Sequence, residues 1–357
     1  MKKFDRKEKG VNTMARCSLS DGTVLDDFER PYIVAEVNTS HNGNIATAKE
    51  MIRQAKESGC SAVKFQSWSQ ESLYSRTYYD ENPIAKRFIT KFSLSEDELL
   101  ELAGYAREWG IAFSSTPYSR REVNFLLEKC NVPYIKVASM DLNNYPFLEY
   151  IAKTGAPIVL ATGMSDMEEI RKAVATIEKT GNRNLCLLHC ISIYPPEIKT
   201  IKLNNIQGLR QEFSEYPIGF SDHSIGTEMA SAAVALGAAM IEKHLTLDKS
   251  KIGMDNQMAT EPEEMARLVQ SCWNVQLAMG GTQRVVLEDE LEQRKKMRRS
   301  IIVTRDLKAG SILQKEDLDS KRPGTGLPPE KMEELVGKKL TRDVDADTLI
   351  FKNDLLN

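Results

Sequence analysis

The sequence reads as an α/β protein, a (β/α)8 TIM-type barrel followed by a small β-rich domain. Three observations predict it. A short β-branched or apolar run that ends in polar residues and leads into a segment of helical period recurs eight times from Tyr32 onward. Polar residues able to do chemistry stand at the ends of nearly all those runs, where a barrel places its active site. After residue 299 the pattern changes to short extended pieces, glycine turns and a proline-rich loop, as in a small β domain. An open doubly wound sheet is the alternative, but it normally has fewer strands and a glycine-rich first turn.

Residues 1–31 are polar and of mixed charge, with a turn at Ser20-Asp21-Gly22, and read as a partly ordered N-terminal leader. The barrel spans 32–281. Its strands are expected at 32–37, 62–67, 112–116, 134–139, 157–162, 185–190, 217–221 and 239–244. Its helices are expected at 46–59, 95–109, 121–130, 146–154, 167–180, 203–213, 227–237 and 261–279. Ser95 stands three residues before Glu98 as in a capping box, and Ser165 stands before an acidic first turn. Gly59, Gly110, Gly155 and Gly181 close helices. Residues 282–299 are dominated by charge and read as a linker with a solvated helical face. Residues 300–357 form the small domain.

A formal charge of −3 and a pI near 6.0 give no electrostatic footprint for nucleic acid or an anionic membrane. Small molecules, or copies of the chain itself, are the expected partners. The six cysteines (Cys17, Cys60, Cys130, Cys186, Cys190, Cys272) form neither a CxxC pair nor a dense framework, so they read as reduced thiols in a cytoplasmic protein. The basic N-terminus has no apolar run behind it, which argues against a secretory signal. The small-apolar stretch Met229–Ile241 is too short to span a bilayer.

The strand ends carry the candidate chemistry. His223 and His244 follow two successive apolar runs and are half of the four histidines in the chain. Two neutral imidazoles suit a divalent metal and leave coordination positions open, and Asp222 and Glu242 stand close by in sequence. Two unrelated structural histidines would look the same in isolation; the context along the chain favours the metal. Glu242 and His244 share strand parity, so both point one way. Strand 1 offers Glu36 and Asn38, strand 2 Lys64 and Gln66, and strand 3 Ser114, Ser115 and Thr116. Strand 4 offers Lys136 and Ser139, with Asp141 beyond, and strand 6 runs into His189, Ser192 and Tyr194. A lysine inside a barrel strand is costly unless it meets an anion or forms a Schiff base. Lys64 and Lys136, with hydroxyls between them, make a phosphate or carboxylate cradle. Arg322, on the turn RPGTG, is either a solvated loop residue or a fork aimed at a ligand.

The stretches AEVNTSHNGN, AVKFQS, FSSTP, YIKVAS, NNYP, LATGM, LLHCISIYP, GFSDHSIG, IEKHLTLD and KRPGTG resemble the sialic acid (N-acetylneuraminate) synthases and their legionaminic and pseudaminic acid relatives. The resemblance covers the chain from about Tyr32 to its end. It implies a barrel followed by an antifreeze-like (SAF) domain in a domain-swapped homodimer. It also implies condensation of phosphoenolpyruvate with an N-acetylated aminosugar of N-acetylmannosamine type. Mn2+ or Mg2+ would sit on His223 and His244. Phosphoenolpyruvate contacts would fall on Lys64, Gln66, Thr116, Lys136, Ser139, Tyr194 and Ser221, and acidic groups on Glu36 and Glu242. Asp255 would meet the sugar, and Arg322 would reach into the barrel of the second copy. Four positions depart from the family pattern. Asn38 stands for a glycine, Ser192 for an asparagine that contacts phosphoenolpyruvate, Met254 for the proline of GPD, and Asp141 for a glutamate. Departures near the sugar site suggest a modified acceptor such as a 2,4-diacetamido-2,4,6-trideoxyhexose. A Schiff-base aldolase on Lys64 or Lys136, and a non-catalytic carbohydrate-binding protein, are the competing readings.

Overall fold

The computed structural model describes residues 15–251 and 253–356, which divide into two units at Gly280. The first unit opens with an antiparallel hairpin, β1 (Arg16–Ser18) and β2 (Val24–Asp26). Eight strands follow: β3 (Tyr32–Glu36), β4 (Ala62–Gln66), β5 (Ala112–Thr116), β6 (Ile135–Val137), β7 (Ile158–Ala161), β8 (Leu185–Cys190), β9 (Ile218–Asp222) and β10 (Met240–His244). They lie in the order β5-β4-β3-β10-β9-β8-β7-β6 with parallel ladders throughout, and β5 and β6 pack side by side where the ring of strands meets itself.

Period-two alternation sorts each strand's side chains between two environments. Ile33, Val63, Phe65, Ile135, Leu187 and Phe220 face outward into the layer under the helices. Tyr32, Val34, Ala62, Tyr134, Val159, Cys186 and Met240 face inward and fill the lower barrel. Each fully buried side chain of this size contributes about 1.5–3 kcal/mol. Gly219 keeps the inner packing possible, because a Cβ there would lie 2.5 Å from Leu188 Cδ2 and 2.7 Å from the Met240 carbonyl.

The first departure from expectation is at the bottom of the barrel. Cys17, Leu19 and Leu25 belong to the same inward cluster as Tyr32 and Met240, and the Ser20 N–H donates to the Pro133 carbonyl at 2.9 Å. Residues 16–26 are therefore a plug, not a leader. Strands of three residues are too short to display a period.

The barrel helices lie close to their expected spans, from Ile45–Glu57 to Pro262–Met279. Ser95 caps its helix with a reciprocal bond from Glu98, as expected. Asp166, and not Ser165, caps the helix Met167–Glu178, pairing with Glu169. Expected strand 134–139 stops at Val137 and turns into a 3-10 helix over Ser139–Asp141. Three further helices, Gln70–Leu73, Arg76–Glu81 and Pro83–Phe92, lie between β4 and the helix Glu96–Glu108.

The second unit begins at Gly281, one residue before the expected linker, and within that linker Glu288–Met297 forms a helix with none of its residues buried. Strands β11 (Ser300–Val303) and β12 (Leu318–Lys321) pair antiparallel over a core that includes Ile301, Val303, Leu313, Leu340 and Ile350. This unit contains a repeat that the sequence reading missed: Thr304–Leu318 and Thr341–Leu355 fold alike. Asp317 accepts from the Gln314 N–H at 3.0 Å and from Arg305 Nε at 2.7 Å, and Asp354 accepts from the Phe351 N–H at 2.9 Å and from Arg342 Nε at 2.5 Å. Across the pseudo-twofold, Leu307 and Val344 exchange both backbone bonds, and Asp306 and Asp343 each take the N–H of Ala346 and Ala309 respectively.

Backbone N–H donation to Asp317, aided by Arg305, holds its carboxyl below the ordinary aspartate value. Burial works to raise Asp354, but Arg342 and the Phe351 N–H outweigh it and hold that carboxyl low as well. A depressed carboxyl gives stability that is present above the unfolded value of about 3.9 and lost as the pH falls through the folded one. Hydrogen exchange across residues 300–356 is therefore expected to show protection that holds at neutral pH and collapses below about pH 4. In Asp317→Asn and Asp354→Asn chains, protection should be lower at pH 7 and nearly independent of acid.

Candidate active site

At the C-terminal ends of the strands, the register lines up inward residues in rows. His244 stands beside Glu36 and Glu36 beside Lys64, while Glu242 stands beside Ser221. They surround a cavity of about 350 Å3. Glu36, Lys64, Gln66, Thr116, Lys136, Ser139, Ser192, Tyr194, Ser221, His223, Glu242, His244 and Asp255 all line it.

The floor is a buried charge network. Lys64 Nζ pairs with Glu36, donates to Thr116 Oγ1 at 3.1 Å and lies 3.8 Å from Glu242 Oε2. Lys136 Nζ lies 3.7 Å from Glu242 Oε1, which also accepts from Ser221 Oγ at 3.0 Å. All four charged side chains are buried. Burial works to lower Lys64, but Glu242 and Glu36 outweigh it and hold the ammonium above its ordinary value. Burial lowers Lys136, which Glu242 compensates only in part. Burial raises Glu36 despite Lys64. For Glu242, the same burial effect is overcome by Lys136, Lys64 and Ser221, which hold it ionised.

Above this floor His223 and His244 face each other with ring centroids 5.3 Å apart, and Tyr194 stacks on His223 at 4.1 Å. His223 Nδ1 lies 2.8 Å from the Ile191 carbonyl, an acceptor that fixes the proton of the neutral ring there and leaves Nε2 as a lone-pair donor. Burial and the neighbouring positive charges hold His244 well below its ordinary value, hence neutral. Burial works to lower His223, but Cys190, the Ile191 carbonyl and Glu242 raise it, so a cation bound there displaces a proton. Glu242 Oε2 and Asn38 Oδ1, both facing the cavity, are buried without a hydrogen bond. Among the described residues no three or more of His, Cys, Asp and Glu are arranged to enclose an ion. The His223 Nε2 lone pair, the neutral His244 and the unpartnered Glu242 Oε2 and Asn38 Oδ1 in the same cavity are nevertheless donors of the kind a divalent ion takes, with other positions open to oxygen ligands.

Asp222 and Asp141 need correction, and the other residues take the following places. Asp222 does not face the histidines; its carboxylate turns outward to Lys243 Nζ at 2.8 Å and to Ser224. Asp141 does not line the cavity; the 3-10 turn presents Met140 there, and the half-buried Asp141 accepts from Asn144 at 3.2 Å. His189 bonds the Ile201 carbonyl and stacks on Phe220, outside the site. Arg322 belongs to the second unit, exposed on the turn after β12. Asn38, where glycine was expected, has φ +43°, a left-handed conformation that asparagine tolerates, and its Nδ2 donates to Asp255. Gly163 passes close to the serines, its N–H donating to Ser139 Oγ at 3.0 Å, where a Cβ would lie 2.8 Å from that oxygen.

Sequence reasoning missed Tyr118, whose hydroxyl donates to Gln66 Oε1 while Gln66 Nε2 donates to Glu36 at 3.0 Å. Tyr118 lies two residues beyond β5, so a wider view of that strand end would have found it. Trp68 and Cys190 also line the cavity.

These features define a barrel enzyme whose cavity holds two buried lysines and two buried carboxylates beneath a pair of facing histidines. The comparisons give the family. A model of the NeuB family matches residues 51–284, and a model of the SAF domain matches residues 298–356. The chain belongs to the NeuB family of synthases and ends in a SAF domain. The N,N'-diacetyllegionaminic acid synthase of Legionella pneumophila is 36% identical over 333 residues, 90% of this chain and 93% of that protein. The N-acetylneuraminate-9-phosphate synthase of Homo sapiens is 37% identical over 330 residues, 90% and 91% of the two chains. Among solved structures, the N-acetylneuraminic acid synthetase of Leptospira borgpetersenii, in complex with citrate, matches with a TM-score of 0.72 and 31% identity, covering 78% of this chain and 95% of that one.

Glu242 is the anion both lysines depend on. Removing one member of a buried ionic set typically costs about 3–5 kcal/mol. Glu242→Gln is expected to lower stability by that order in urea denaturation at pH 7. Inorganic phosphate, an alternative counter-ion for the same lysines, should restore more stability to the variant than it adds to the wild type.

Proposed function

We propose that the chain condenses phosphoenolpyruvate with the open-chain aldehyde of an N-acylated aminosugar of N-acetylmannosamine type, giving a nonulosonic acid and inorganic phosphate. The observation that carries this reading is the pair of buried ammonium groups, Lys64 and Lys136, around Glu242 and beneath His223 and His244. A substrate bearing both a carboxylate and a phosphate needs two such charges. Lys64 is already engaged by Glu36 and Thr116, whereas Lys136 has Glu242 at 3.7 Å and the Val137 carbonyl at 3.3 Å. Lys136 therefore keeps more of its donors for the ligand. Ser139 and Ser192 add neutral hydrogen-bonding groups, and Tyr194 walls the pocket.

His223 and His244 would hold Mn2+ or Mg2+, which when bound polarises the carbonyl of the sugar aldehyde. The chain's own groups do the positioning. Lys64 and Lys136 hold the enol phosphate so that its C3 faces the aldehyde carbon and attack is effectively unimolecular. The new carbon–carbon bond forms and the aldehyde oxygen takes up a proton. Water adds at C2 and gives up one proton; the C2–O bond to phosphate then breaks as the C2 hydroxyl becomes the keto carbonyl, its proton leaving with the phosphate. Two carboxylates whose environments push them apart divide such work. Glu242, held ionised, takes the proton from water; Glu36, raised by burial while paired with Lys64, is the second carboxyl available for proton transfer.

The acceptor is bounded by Asn38 and Asp255 on one side and by Met140, Met164 and Met254 at an apolar mouth. That mouth favours, as a second reading of the acceptor, a diacetamido-trideoxyhexose. A domain-swapped homodimer in which Arg322 serves the second copy's barrel belongs to the same proposal. So does a cytoplasmic setting: the six cysteines are free and buried, and no helix among the described residues is long and apolar enough to cross a membrane. A lysine lowered by burial also suits imine formation, so the lowered Lys136 is the one feature favouring a Schiff-base aldolase. That chemistry leaves both histidines without a task.

Phosphate release from phosphoenolpyruvate, measured with each candidate aminosugar in Mn2+ and then in excess chelator, tests the proposal. The expected result is sugar-dependent release that chelator abolishes and added Mn2+ restores. Release without sugar, or borohydride trapping of a keto acid on Lys136, would overturn it. Lys136→Met should lower kcat/KM for phosphoenolpyruvate by about 100-fold or more while the barrel stays folded.

A further inference from the structure

Lys243 is the most enclosed charged side chain described, and nothing in the reaction above uses it. It has 0% relative exposure and sits on the outer side of β10 between Ile241 and Leu245, both members of the apolar layer under the helices. Its Nζ donates to Asp222 Oδ2 at 2.8 Å and to the Ser224 carbonyl. Asp222 Oδ1 in turn accepts from the Ser224 N–H at 2.9 Å and from Ser224 Oγ at 2.6 Å. An ammonium and a carboxylate placed in an apolar layer are weak contributors to stability, because desolvation offsets their attraction; register is the better-attested use of such a pair.

The register here concerns the two histidines. β9 ends at Asp222, so His223 lies beyond the last rung of its ladder with β10, the Lys243–Asp222 pairing. His223 has no strand neighbour to fix it on that side. Lys243 instead grips both residues that flank His223, the side chain of Asp222 and the carbonyl of Ser224, and is itself the residue before His244. One ammonium group thereby ties together the backbone on both sides of one imidazole and the backbone next to the other.

We propose that Lys243, Asp222 and Ser224 form a positioning clamp outside the barrel wall that sets the His223–His244 separation, and so the affinity for the divalent ion. The proposal rests on the metal reading of the preceding subsection. The clamp acts through the histidines and touches neither substrate nor ion.

The test is Mn2+ binding to the full chain without substrates, read by the electron paramagnetic resonance signal of free Mn2+, alongside thermal melting. Lys243→Met should weaken Mn2+ binding by about 10- to 100-fold, the range for groups that orient metal ligands. Lys243→Arg, which retains a donor, should recover most of it. The decisive variant is Asp222→Leu with Lys243→Met: replacing both charges by apolar groups should bring the melting temperature back while Mn2+ binding stays weak. Leu160→Ala, a buried outward residue of β7 remote from the histidines, should melt early and bind Mn2+ like the wild type. A double variant that recovers Mn2+ affinity together with stability, or a folded Lys243→Met chain that binds as the wild type does, overturns the clamp alone. A wild-type chain that binds no Mn2+ overturns the metal reading and the clamp with it.

Discussion

The site depends on one electrostatic compromise, the placing of Glu242 between two ammonium groups buried at the floor of the cavity. Lys64 and Lys136 lie within 4 Å of its carboxylate, which is the counter-ion they share. Their balance is uneven. Lys64 is raised and Lys136 lowered, because Glu36 supports only the first directly. The barrel supplies the geometry for this at little cost, since parallel strands in register place alternate residues of neighbouring strands in level rows. Glu36, Lys64 and His244 stand in such a row without any loop having to hold them.

Much of this was legible in the sequence. Eight apolar runs with polar ends predicted the barrel, and strand parity predicted that Glu242 and His244 share a face. Most inward residues with chemistry were found because each sits at the end of a recognisable run; Tyr118, two residues past β5, was not. What escaped did so for physical reasons. Asp222 seemed available to a metal because it precedes His223, yet neighbours along a strand face opposite ways, and the same rule turns Lys243 outward. Residues 16–26 have strands too short to show a period. The helices between Gln70 and Phe92 are short, and their apolar positions repeat over too few turns to stand out.

The departures from the family pattern are less disruptive than they looked. Asn38 adopts a left-handed backbone, which asparagine tolerates, and its amide engages Asp255. A substitution at the mouth of β3 is thus converted into a tie between β3 and the loop after β10. The small domain shows a comparable economy: fifteen residues are used twice, and each copy supplies the backbone N–H that the other's aspartate accepts. Its apolar residues differ between copies, which hid the repeat, while the Thr-Arg-Asp and Asp-Leu ends are shared.

The plug beneath the barrel has a kinetic meaning. With Leu19 and Leu25 packed under Tyr32 and Met240, the space around the lysines has no lower exit. Whatever reaches Lys64 and Lys136 enters from the mouth, past the histidines that line the same cavity. The traffic is that of a blind shaft: entry and exit share one mouth.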